Sequence, residues 1–308
     1  MSIKIKKEVY AEFGKCLKIT NGDVEIVAAL EFGIRILHFS AAGGSNVFCL
    51  APNVKVPAGD GQWSVYAGHR LWASPEEMPK TYYPDDKPVS YEADKESVTI
   101  KQPLDEWANI EKEITLSVSG SRVKVVHRIT NRNGCPVELA AWALSVMAPG
   151  GIEIIPFPAP DTGLLHNRSI SVWPYTDMSD SRVKWLKDHI ILAHDSAVKR
   201  PFKIGVSNSC GWAAYVNGQD IFIKRYRHIE GERYPDNNVS YETYTCDYMT
   251  EMQTLSPLKF LAPGEAVEHT EEWSVSRIIS GNETLSGQSV GKFLSRLEPL
   301  VSCRLPDQ

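Results

Sequence analysis

A carboxylate two residues ahead of an amide, with a proline close behind, is the arrangement in this chain with the most chemical content. Glu251-Met252-Gln253 is followed by Pro257, inside the run YETYTCDYMTEMQTLSPLKFLAPGEAVEHTEEWSV from Tyr241 to Val275. Side chains alternate between faces along an extended strand, so Glu251 and Gln253 share a face. If the strand continues unbroken from Tyr241, then Tyr241 and Asp247 lie there too. An acid beside an amide and an aromatic ring suits a sugar, whose C–H faces pack on rings while its hydroxyls need paired donors and acceptors. The same residues also fit an outward-facing polar stripe on an edge strand.

A second group precedes it. His69, Arg70 and Trp72 offer a titratable ring, a two-pronged oxygen binder and an apolar platform within four positions, and Glu76 and Glu77 follow. Arg70 and Trp72 fit ligand contacts, with Glu77 as a hydroxyl acceptor. The local alternative has Arg70 pairing with Glu76 or Glu77 and His69 bonding a backbone carbonyl. Trp173 and Tyr175 make a possible second platform, with Asp177 as an acceptor; alternatively Trp173-Pro174-Tyr175 pins a crossing loop.

The elements that must position these groups read as strands. Ile110, Ile114, Leu116 and Val118 alternate with polar residues, and Val123, Val125 and Ile129 repeat the pattern with His127 on the inward face. Val137 to Met147 is almost wholly apolar, as for a strand buried on both faces. Asn217-Gly218 between two apolar runs signals a hairpin. Residues 51–90, rich in Pro, Gly, Trp and Tyr, read as one long ordered loop over a sheet face. Val290, Phe293, Leu294, Leu297, Leu300 and Val301 follow the helical period, which predicts an amphipathic helix over 286–302.

With 308 residues, the chain suits one large domain over 1–308. About a dozen short strands, aromatic loops and one terminal helix predict an all-β fold, a large antiparallel β-sandwich. A net charge of -5 and the lack of a Lys/Arg run argue against nucleic acid as a partner. The N-terminal residues lack a secretory apolar core, and no stretch approaches the roughly 20 apolar residues that span a bilayer. The expectation is a cytoplasmic protein with no membrane partner. Six scattered cysteines contain no C-x-x-C pair, and nucleotide-binding and zinc-protease motifs are absent, so no cofactor and no metal are expected.

Glu251-x-Gln253, Pro257, Leu261-Ala262-Pro263-Gly264-Glu265, Thr270 and Trp273 together resemble the C-terminal signature of the galactose mutarotase (aldose 1-epimerase) superfamily. A narrower resemblance, to an uncharacterised bacterial branch of mutarotase-like proteins, is carried by Gly68-His69-Arg70-Leu71-Trp72, Ser74-Pro75-Glu76-Glu77, Thr81-Tyr82-Tyr83-Pro84-Asp85 and Trp173-Pro174-Tyr175-Thr176-Asp177. The superfamily resemblance implies a two-sheet supersandwich with a sugar cleft and Glu251 as catalytic base. Through Gly33-Ile34-Arg35 it also implies Arg35 near the cleft, and the branch favours Lys224, Tyr234 and Asp236 as cleft-side positions. The family places a general-acid histidine on the strand after the proline corresponding to Pro136, where this chain reads Leu139-Ala140-Ala141-Trp142-Ala143-Leu144-Ser145. Mutarotation moves a proton at each end of the hemiacetal, so an acid must come from elsewhere, with His69 the leading substitute. The expectation is an aldose 1-epimerase-like enzyme acting on a free sugar or sugar derivative. Its alternatives are a noncatalytic carbohydrate-binding or sensing protein, or an oligosaccharide lyase or hydrolase.

Overall fold

The computed structural model describes residues 3–158, 163, 165–277 and 300–301. The described residues form twenty-three strands, about twice the number the sequence suggests, and the pairings between them are antiparallel. One sheet runs, in spatial order, Lys4–Val9, Lys15–Thr20, Val24–Ala29, Ile36–Ala41, His69–Ser74, Val137–Met147, Thr250–Leu255, Tyr241–Thr245, Phe202–Val206 and Ile170–Val172, with Lys259–Leu261 also pairing to Val137–Met147. The second sheet places Asp220–Tyr226, Ala266–Arg277, Arg122–Asn131 and Ile110–Ser119 at its centre. This is the expected all-β antiparallel sandwich. The helix expected over 286–302 lies outside the described residues apart from Leu300 and Val301, which pack on the outer apolar cluster of Ile154, Val216 and Ile223. No described helix is long and apolar enough to cross a membrane.

Alternation builds the layer between the sheets. Ile114, Leu116, Val123, Val125 and Ile129 from one sheet meet Leu17, Ile26, Leu71, Ala141 and Met252 from the other in a single buried cluster. The strand Val137–Met147 is buried on both faces, as its composition predicts. Ala141 and Met147 face the other sheet, and Trp142, Leu144 and Val146 join a second apolar cluster on the sheet's opposite side.

Residues 51–90 are not one long loop. Leu50–Ala58 and Gly61–Ala67 pair as a hairpin, and His69–Ser74 is an interior strand of the first sheet. Trp63, Val65 and Ala67 of the hairpin pack against Trp72 and Trp142, roofing part of the sheet face. A strand covered on both sides has no polar stripe, and so it escapes a search for alternation.

The inter-sheet layer also carries a buried polar network. His127 Nδ1 lies 3.0 Å from the carbonyl oxygen of His269, which can only accept, so Nδ1 carries the proton and Nε2 accepts from His69 Nε2 at 2.7 Å. His69 Nδ1 then accepts from Ser145 Oγ at 2.8 Å. Lys224 Nζ lies 2.9 Å from Glu271 and donates to Met252 O at 3.0 Å, while Trp273 Nε1 donates to the other Glu271 oxygen at 2.7 Å. Glu153 accepts from Tyr241 and from Thr243 Oγ1.

These groups give stability opposing dependences on pH. Burial lowers the pKa of His69, His127 and His269, that of His269 to about 3. Their contribution is present above the unfolded value of 6.5 and is lost as pH falls below it. Burial raises Glu153 from 4.5 to about 7, so its contribution is present below pH 4.5 and is lost as pH rises toward 7. Glu153→Gln should remove that second decline, changing the difference in unfolding free energy between about pH 4.5 and 7 by up to about 3 kcal/mol. Urea unfolding across this range reads the effect, and parallel curves for wild type and variant would contradict it.

Candidate functional site

The face of the first sheet turned away from the second sheet gathers most of the residues singled out by the sequence. In the hairpin of Tyr241–Thr245 and Thr250–Leu255, Tyr244 lies opposite Glu251 and Glu242 opposite Gln253. The next strand adds Val146 beside Glu251 and Leu144 beside Gln253, and beyond it Arg70 pairs with Leu144 and Trp72 with Trp142. On the other flank Lys203 lies beside Tyr244. One face therefore carries Arg70, Trp72, Trp142, Glu251, Gln253, Glu242, Tyr244 and Lys203.

Glu251 is held from two sides. Arg70 Nη2 donates to its Oε1 at 2.9 Å and Gln253 Nε2 to its Oε2 at 2.6 Å, while Gln253 Oε1 accepts from Trp142 Nε1 at 3.1 Å. Arg70 lies over the rings of Trp72, at 4.4 Å, and Trp63, at 5.2 Å. Its Nε and Nη1 are buried without a hydrogen-bond partner. Two buried donors with nothing to donate to are expensive unless a ligand supplies the acceptors. The arrangement therefore offers a fixed carboxylate, two directed donors and a set of rings around them.

Further groups close over this floor. Tyr82 donates to Glu76 at 2.6 Å and packs against Trp63 and Trp72. Burial raises the phenol pKa of Tyr175, and the negative fields of Glu76, Glu251 and Glu242 raise it further. Lys203 is sandwiched by Trp142 and Trp173, 4.8 and 4.2 Å from their ring centres, and lies 2.8 Å from Glu242.

Three of the expected residues are placed elsewhere, and a fourth, Arg35, lies over the Trp63 ring but is engaged by Asp85. His69 precedes Arg70 on its strand and so points to the opposite face, where it is fully buried against His127 and Trp273. It cannot serve as the acid in the cleft. Glu77 is exposed and pairs with Lys80 at 3.0 Å; its neighbour Glu76 is the one that turns toward Tyr82. Asp177 accepts from Ser179 N and Oγ and lies 3.2 Å from Arg200, so it shapes its own turn. Arg35 is buried in a forked pair with Asp85, at 2.6 and 3.1 Å, and braces the Trp63 side from behind. The alignment of Tyr241 and Asp247 with Glu251 also fails, because the chain turns at 246–249: Tyr241 faces the inter-sheet layer and Asp247 sits in the turn. Lys224 likewise faces the inter-sheet layer, whereas Asp236 lies beside Glu242.

Glu242, Lys203, Trp63 and Tyr244 escape the sequence reading because the strands that carry them show no motif. The signal that finds Glu242 is its phase relative to Gln253 once the turn at 246–249 is recognised. Among the described residues one group has metal-ligand atoms close together, His69, His127 and Glu271 within 4.8 Å of one another. It lies between the sheets, with its ligand atoms engaged by one another and by Lys224, Thr254 and Trp273. A separate depression of about 350 Å³ is lined by Ser74, Glu77, Thr81, Trp107 and Leu139.

No protein-family model and no curated protein sequence matches the chain. Solved structures do. A galactose mutarotase-like protein from Lactobacillus casei superposes with a TM-score of 0.55 at 8% identity, over 85% of this chain and 100% of that one. A Salmonella typhimurium protein whose assignment as a mutarotase is provisional gives 0.58 at 11%, over 89% and 94%. A Parabacteroides distasonis protein described as TPR-domain containing gives 0.57 at 11%, over 89% of this chain and 49% of that one. The chain has the galactose mutarotase-like fold, as the Glu251-x-Gln253 and Pro263-Gly264 signature implies.

Proposed function

We propose that the chain is an aldose 1-epimerase-like enzyme acting on a free sugar or sugar derivative, with Glu251 as general base. The observation that carries this reading is the Glu251 carboxylate, fixed by Arg70 and Gln253 among the rings of Trp63, Trp72 and Trp142 and beside two unpartnered guanidinium nitrogens. Glu251 takes the proton of the anomeric hydroxyl, the ring C–O bond opens as its oxygen is protonated, and rotation about the C1–C2 bond followed by closure gives the other anomer. Arg70 Nε and Nη1 hold sugar oxygens, and Trp72, Trp142 and Trp173 supply surfaces for the C–H faces. The Arg70 cation is already matched by Glu251, which favours a neutral sugar over a phosphorylated one.

Proton NMR of freshly dissolved aldoses and uronates tests the proposal. Wild type should accelerate anomer exchange for at least one neutral aldose, and Glu251→Gln should lower kcat/KM at least about 100-fold. The occupation of the acid strand by Trp142 favours a second reading, a noncatalytic sugar-binding protein. Ligand-induced shifts without any acceleration would select that reading over the first.

A further inference from the structure

The epimerase reading leaves one role without a residue, the acid at the ring oxygen. The histidines on the sheets near the cleft, His69, His127 and His269, all face the inter-sheet layer. Burial raises the phenol pKa of Tyr175, Tyr244 and Tyr248 above the usual value, so each holds its proton too tightly to deliver it well near neutrality.

We propose that Glu242 is this acid: it touches the ring oxygen of the sugar and protonates it while Glu251 takes the proton of the anomeric hydroxyl. The inference rests on the epimerase reading. Glu242 lies directly opposite Gln253 across the hairpin, and Glu251 is therefore its diagonal neighbour on the same face. Diagonal partners in an antiparallel pair are about 7–8 Å apart at the backbone, a spacing that lets two carboxyl groups approach two oxygens borne by one carbon.

The surroundings of Glu242 suit a proton donor. It is fully buried, and neither carboxyl oxygen has a hydrogen bond of ordinary geometry, although Lys203 Nζ lies 2.8 Å from Oε2. The charged and titratable groups around it are Lys203 from the neighbouring strand, Asp236 from the turn that precedes its own strand, Tyr175 from the loop above and Glu251 across the hairpin. Asp236 and Asn237, in the turn that leads into the Glu242 strand, adopt left-handed backbone conformations with φ of 51° and 63°. Burial raises Glu242 to about 8; Lys203 opposes this and Asp236 reinforces it. A carboxylic acid that keeps its proton up to about pH 8 can deliver it to a ring oxygen near neutrality.

The protons balance over a full cycle. The Glu242 proton passes to the ring oxygen, the C1–O bond breaks with its electron pair moving to that oxygen, and the O1–H pair becomes the carbonyl bond as Glu251 accepts the proton. Rotation about C1–C2 then presents the other carbonyl face. The ring hydroxyl attacks and returns its proton to Glu242, Glu251 gives its proton to O1, and both acids are restored.

Anomer exchange measured by NMR against pH, with the full chain and its variants, tests this assignment. Wild type should lose activity as pH rises through about 8, because the acid must be protonated. Glu242→Gln should lower kcat/KM about 100-fold or more and abolish that alkaline limb, and Glu242→Asp should recover part of the rate. Carbon-13 NMR of labelled glutamate carboxyls should show a group that titrates near 8 in wild type and is missing in Glu242→Gln. Activity of Glu242→Gln within threefold of wild type, or a Glu242 carboxyl titrating in the usual carboxylate range, overturns the assignment while leaving the epimerase reading standing. A wild type that accelerates no sugar overturns the epimerase reading and the catalytic assignment with it, whatever the titration shows.

Discussion

Lys224→Met is expected to destabilise the fold by about 3–5 kcal/mol, the cost of removing one partner of a buried ion pair. Lys224 and Glu271 are both fully buried, 2.9 Å apart. Methionine fills much the same volume, so the loss is electrostatic: Glu271 keeps its bonds from Thr254 and Trp273 but faces no positive charge. Burial alone lowers the pKa of Lys224, and Glu271 opposes that drop, so the pair is interdependent. Glu271→Gln in the same chain should restore more than half of the loss by removing the stranded charge. Urea unfolding of the two single variants and the double one measures this. A single-variant cost under about 1 kcal/mol, or a double variant no better than Lys224→Met, would contradict it.

That pair also bears on the cleft. Lys224 Nζ donates to the carbonyl of Met252, the residue between Glu251 and Gln253. The inter-sheet network thus grips from below the stretch of strand whose upper face carries the carboxylate and the amide. Alternation along Thr250–Leu255 couples core and site, since Met252 and Thr254 turn inward and Glu251 and Gln253 outward.

The same alternation explains what was legible in the sequence. Glu251 and Gln253 share a face because two residues of one extended strand must, whatever else surrounds them. Ile110 to Val118 and Val123 to Ile129 showed their inward faces because their outward faces meet water. His69 and Arg70 are neighbours, so only one could enter the cleft, and the sequence did not say which. The answer came from a strand covered on both sides, with His69 and Leu71 toward the second sheet and Arg70 and Trp72 beneath the Trp63 hairpin. With neither face polar, nothing in residues 69–74 marked the phase. Glu242 was hidden for a related reason. Taking Tyr241 to Gln253 as one unbroken strand places Tyr241 beside Glu251, whereas the turn at 246–249 reverses the chain and presents Glu242 in its place. Glu76 and Glu77 differed only in which of two adjacent acids found Tyr82, a choice made by the turn through Thr81.

Arg70 separates stability from catalysis most sharply. Its side chain and that of Glu251 are 3% and 7% exposed, so Arg70→Leu strands a buried carboxylate and is expected to cost about 3 kcal/mol or more. On the epimerase reading it also removes the two donors proposed to hold the sugar and one of the two bonds that aim Glu251, and kcat/KM should fall about 1,000-fold. Arg70→Lys divides these effects. The ammonium keeps the charge opposite Glu251, so most of the stability should remain, within about 1–2 kcal/mol of wild type. A lysine has no planar fork, however, and cannot point one N–H at Glu251 while aiming two others at sugar oxygens across the Trp72 ring. Arg70→Lys should therefore fold nearly normally yet lose about 100-fold in kcat/KM, with KM rising because ground-state contacts to the hydroxyls are lost. Urea unfolding and anomer exchange on the same preparations give the comparison. If Arg70→Lys keeps full activity, the free Nε and Nη1 donors are not ligand contacts, and Arg70 serves only as the counter-charge that keeps Glu251 in place.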